Sequence, residues 1–231
     1  MRIPRIVKSV ALFIAIVVLL LAVPLLFLPE EKPRDGAAAS GLPWQIDLLA
    51  DGGIRVFGLM PGRSTLTEAR RQFGSDVQIA LVVAPGETGS VEAYYEQLNA
   101  GFVTGKMILT LETTLAQREQ MLQRARKAEY MESTTRRIAL AEADLQAAES
   151  AVIGAITFIP TAALDEPVVL QRFGMPAERI RSSEHAEHFL YPDKGLDLRL
   201  DAKGKELLQY VAPREFARLR DPLIAARDKR P

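Results

Sequence analysis

Cysteine is absent, tryptophan occurs once and histidine only twice in 231 residues. Without cysteine there is no disulfide, no thiol nucleophile, no thiolate metal site and no lipid-modified N-terminal residue. A charge excess of one sign is missing too: 29 Lys and Arg stand against 29 Asp and Glu. Nucleic-acid binders normally carry a basic excess, so no nucleic-acid partner is expected. What is present is ordinary for a globular chain, with 48% apolar and 25% charged residues. The length allows one domain or two small ones.

The apolar residues are unevenly placed. Val10–Leu28 is a 19-residue run of Val, Ala, Leu, Phe and Ile broken only by Pro24. An ideal helix of that length covers about 28 Å, close to a bilayer's hydrocarbon core. Arg2, Arg5 and Lys8 precede it, with no acidic residue before Glu30. The positive-inside bias then leaves the N-terminus in the cytoplasm and the remainder outside. A cleaved signal peptide is the competing reading. Its apolar core is shorter, and Ala37-Ala38-Ala39 lies far downstream of where cleavage would fall. Residues 1–28 are therefore read as a cytoplasmic stub and transmembrane anchor that contacts the lipid bilayer through Val10–Leu28, and 29–43 as a linker.

Residues 44–112 read as a first α+β unit. Trp44–Leu49 and Ile54–Phe57 flank Asp51-Gly52-Gly53, a hairpin signal. Trp44 suits either a membrane interface or packing under these strands. Ser64 is a candidate N-cap for a short helix carrying Leu66, Ala69, Arg70 and Phe73 and closed by Gly74. Strands follow at 77–83, 91–98 and 106–111. A second unit, 152–212, repeats this order: Asp165 caps a helix ending Phe173-Gly174. Ile180, His188–Tyr191, Leu196–Leu200 and Glu206–Val211 supply an extended meander.

Thr113–Ala151 between them contains no Gly or Pro and is rich in helix formers. Leu115 and Leu122, then Ile138, Leu145 and Val152, keep heptad spacing, but the register breaks between Leu122 and Ile138. One long helix and a helical hairpin both remain open, with a partner-binding coiled coil as the sharper version. The tail, 213–231, has an apolar stripe at Phe216, Leu219, Leu223 and Ile224 and reads as a helix, divided or kinked at Pro222.

Chemistry-bearing patterns are few. His185 and His188 lie in Glu184-His-Ala-Glu-His188, a weak metal-site candidate because the segment leads into a strand, where i and i+3 face opposite ways. No Gly-x-Ser-x-Gly elbow occurs. Gly86–Gly89 and Gly101–Lys106 fail the phosphate-loop pattern, since Met107 follows Lys106, and read as strand connections. No cofactor is implied.

Gly58-Leu-Met-Pro-Gly-Arg-Ser-Thr-Leu-Thr-Glu-Ala-Arg-Arg-Gln-Phe-Gly74 resembles the BamE-like (SmpA/OmlA) periplasmic module, and Phe173-Gly-Met-Pro176 resembles it again. Two units in one chain are similar to the tandem architecture of β-lactamase inhibitor proteins. The resemblance implies a short helix followed by an antiparallel meander, and a protein-binding role. The chain departs from it in lacking a lipidated Cys and in carrying residues 113–151.

Together these readings predict a single-pass bacterial inner-membrane protein with a periplasmic, non-enzymatic module that binds another envelope or membrane protein in cell-envelope assembly or maintenance. Two alternatives are a membrane-anchored metal-dependent or hydrolytic enzyme using His185 and His188, and a structural spacer through the long helix. The predicted core comprises Leu66, Phe73, Ile79, Leu81, Tyr94, Ile108, Leu111, Ile156, Phe158, Val169, Phe173, Phe189, Tyr191, Leu198 and Val211. The predicted binding surfaces are the stripe of the long helix and the loop Pro85–Ser90.

Overall fold

In a computed structural model of the chain, residues 41–125, 128–130 and 134–228 are described. A short hairpin, β1 (Asp47–Leu48) and β2 (Ile54–Arg55), opens the fold, followed by α1 (Leu66–Phe73). Then come β3 (Gln78–Val83), β4 (Ser90–Ala100) and β5 (Val103–Leu111). α2 (Leu115–Arg124), β6 (Ala128–Tyr130), β7 (Arg136–Ala139) and α3 (Glu142–Glu149) lead to β8 (Ile153–Pro160). The chain continues through α4 (Glu166–Phe173), β9 (Glu178–Arg181), β10 (Ala186–Tyr191), β11 (Leu196–Asp201), β12 (Leu207–Val211) and α5 (Ala217–Asp228).

Ten of these strands form one antiparallel sheet in the order β6-β7-β3-β4-β5-β8-β12-β11-β10-β9. Two separate α+β units were expected, divided by a long helical segment. Instead one sheet runs through both halves, because β8 pairs with β5 on one side and with β12 on the other. A short helix precedes an antiparallel run on each side of the β8–β12 contact: β3-β4-β5 after α1, joined by β8 once residues 112–152 have intervened, and β9-β10-β11-β12 after α4, all in one continuous hydrogen-bond ladder.

The long helix is also corrected. Residues 113–151 contain α2 of 10 residues, the β6–β7 hairpin and α3 of 8 residues. Helix propensity is a weak prior that tertiary contacts override. Here Ile138 pairs with Leu81, extending the sheet beyond β3 and burying a side chain that a lone helix would leave wet.

The expectation of a single-pass inner-membrane protein is corrected as well. Among the described residues no helix is long and apolar enough to cross a membrane. The run Val10–Leu28, on which that expectation rested, lies outside the described residues.

Alternation along the strands divides the sheet into two faces. Leu81, Val91, Tyr95, Leu109, Phe158 and Leu198 lie on the face that holds the main core, with Leu66 and Ala69 of α1 and Val169 and Phe173 of α4. Phe57 joins them at φ 54, a left-handed conformation costly for a bulky residue. Its ring lies 5.2 Å from Phe158 and 5.5 Å from Tyr210. Full burial of such a ring is worth about 2–3 kcal/mol, enough to offset the strain. Tyr210 in turn donates a 2.8 Å hydrogen bond to the Pro43 carbonyl, tying the incoming chain to the centre of the sheet.

α1 and α4 are both capped by side chains. Thr65, one residue beyond the predicted Ser64, caps α1: Glu68 N–H donates to its hydroxyl and Thr65 N–H donates to the Glu68 carboxylate. Asp165 accepts from Val168 N–H at 2.9 Å to cap α4. Ser64 is buried instead and accepts from Met60 N–H.

Candidate binding surfaces

Among the described residues, the opposite face is covered at one end only. Phe216, Leu219, Leu223 and Ile224 of the C-terminal segment pack on Ile180, Leu190, Val211 and Ala155. Arg220 of α5 pairs with Glu178 at 2.7 Å. Over β3, β4, β5 and the middle of β8 the register brings Glu92 opposite Thr110, Tyr94 opposite Ile108, and Ile108 opposite Thr157. These side chains are half-buried, not sealed.

Tyr94 stands at the centre of this bare half. Its hydroxyl donates to the Glu92 carboxylate, and the Arg137 guanidinium of β7 lies 4.7 Å from its ring centroid. Burial, reinforced by the Glu92 hydrogen bond, pushes the phenol pKa well above its usual value. Lys106 and Glu96 add an exposed ion pair at 2.7 Å on the same face. The result is an aromatic ring flanked by charges of both signs on a fixed backbone.

Tyr94 and Ile108 were predicted to be core. They are one residue out of phase, since Tyr95, Met107 and Leu109 take the sealed positions. A shift of one residue moves a whole strand's side chains to the other face.

The two histidines do not converge. His185 lies exposed in the turn before β10, beside a depression that also borders Glu184, Glu187 and Asp201. His188 is 7% exposed within β10. Its Nδ1 lies 2.9 Å from both carboxylate oxygens of Asp197, which is 2% exposed. Against an ionised carboxylate that nitrogen is the donor. Among the described residues no group of three or more His, Asp and Glu side chains is arranged to hold a metal. Sequence periodicity alone could not reveal the His188–Asp197 pair, because it depends on the β10–β11 register.

The loop Pro85–Ser90 is exposed at its tip and tied at its end, where the Arg118 guanidinium donates to Thr88 Oγ1 at 3.4 Å. Gly101 makes the β4–β5 turn at φ 63. Gly105 serves close packing, since a Cβ there would meet the Phe158 ring and the Ile159 carbonyl at 2.5 Å.

Comparison with known proteins finds no matching family model, curated protein or solved structure.

Proposed function

We propose that this chain is a non-enzymatic protein-binding module that receives another polypeptide on the bare half of its sheet. One observation supports the reading above others: among the described residues α5 covers one end of that face and leaves the Tyr94, Ile108 and Thr157 region open. Interface centres favour aromatic residues and arginine set in a rigid, partly desolvated surface, the combination that Tyr94 and Arg137 offer. The hydrogen-bonded strands beneath them lower the entropic cost of docking.

The enzymatic alternative has less support, because His185 and His188 occupy separate environments. The spacer alternative loses the element it required, there being no long helical segment among the described residues.

A photo-crosslinking side chain at Thr157, with a control at the exposed Gln171 of α4, tests the proposal in the native host. A discrete protein adduct from Thr157 and none from Gln171 is the expected outcome. No adduct from Thr157, or the same pattern from both positions, would refute it.

A further inference from the structure

The core side of the sheet carries a different kind of feature, separate from the proposed interface. Between Pro43-Trp44, the tip of the β4–β5 hairpin and α4 lies a cavity of about 220 Å³. Phe158, Leu208 and Phe173 contribute buried walls. Among the lining residues Arg172 alone carries a charge. Its guanidinium lies 4.7 Å from the Trp44 ring centroid, and no carboxylate among the described residues pairs with it. At the lip, Phe102 is 69% exposed although its ring stands 5.9 Å from Trp44.

We propose that this cavity binds a small apolar monocarboxylate, with the body inside and the carboxylate on Arg172. The volume exceeds the roughly 150 Å³ that holds a benzene ring and falls below the roughly 300 Å³ where drug-sized sites begin. It therefore fits one aromatic ring, or a branched aliphatic group of similar size, with a short chain. Apart from Arg172 and the Trp44 indole N–H, the lining side chains carry no polar atom, so most of a polar body would lose its hydration without replacement. A guanidinium at the mouth grips a carboxylate through paired hydrogen bonds while leaving it in contact with water. Phe102 supplies apolar surface that a ligand would cover.

Trp44 is the sole tryptophan, so its fluorescence reports on the site. Titration with 3-phenylpropionate changes that fluorescence saturably, and neutral 3-phenylpropan-1-ol binds about tenfold more weakly. Arg172→Gln weakens the acid about tenfold and leaves the alcohol unchanged. Ala162→Phe, at an exposed wall position, fills the cavity and removes both responses, with folding checked by thermal denaturation. Val168→Phe is the second filler if Ala162→Phe fails to fold. Equal affinity for acid and alcohol, an unsaturable response, or binding that survives a folded filler variant would overturn the proposal.

Discussion

Tyr95 and Tyr191 perform one task in the two halves of the sheet. The Tyr95 hydroxyl donates to the Gly74 carbonyl at 3.3 Å, and the Tyr191 hydroxyl to the Gly174 carbonyl at 3.0 Å. Each ring packs on the last residue of the preceding helix, Phe73 or Phe173. The hydroxyl thus fastens the helix end that its ring supports. Tyr191→Phe should cost about 1 kcal/mol in urea denaturation, and Tyr95→Phe less because its bond is longer. Burial pushes both phenols up to about 12. An unfolded tyrosine ionises near 10, so between about pH 10 and 12 the unfolded chain releases protons that the folded chain keeps. Stability should be insensitive to these groups below pH 10 and fall through that window, with a shallower fall in the double Phe variant. Some loss persists there, because burial also raises Tyr94 and Tyr210. The repeated Phe-Gly is visible in the sequence, but the tyrosine that answers each one is not. Tyr94 and Tyr95 are adjacent, and local alternation did not reveal which of them faces the core.

At the scale of elements, the β6–β7 hairpin is the informative case. Its residues suit a helix, yet pairing with β3 makes them strands. α2 and α3, on either side, are joined through Arg124 and the buried carboxylate of Asp144. Ile138 is 3% exposed and belongs to the main core. Ile138→Ala should therefore destabilise the chain by about 2–5 kcal/mol in denaturant unfolding. A loss under 0.5 kcal/mol is what an exposed helical position would give, and it would contradict the strand assignment. Short elements with strong punctuation are legible from sequence: Asp165 caps α4, and Leu196–Asp201 alternates cleanly. The insert was not legible because its strand character comes from a partner about 57 residues earlier in the chain.

For the whole molecule, the decisive contact is β8 against β12. It converts two meanders into one ladder, and Phe158 opposite Leu208 and Ile156 opposite Tyr210 bury side chains from both halves. Such a sheet should unfold in a single cooperative transition, with far-ultraviolet circular dichroism and Trp44 fluorescence giving coincident curves. Two resolved transitions would mean that the halves are independent. The same continuity gives the proposed interface its firmness, since Glu92, Tyr94, Ile108 and Thr157 project from three adjacent strands of the ladder. The proposed function places a polypeptide on this face. Its most direct test is the affinity of the crosslinked partner for the wild-type chain and for folded Tyr94→Ala. The variant should bind about 30-fold more weakly, corresponding to a loss of about 2 kcal/mol. Unchanged affinity would contradict it.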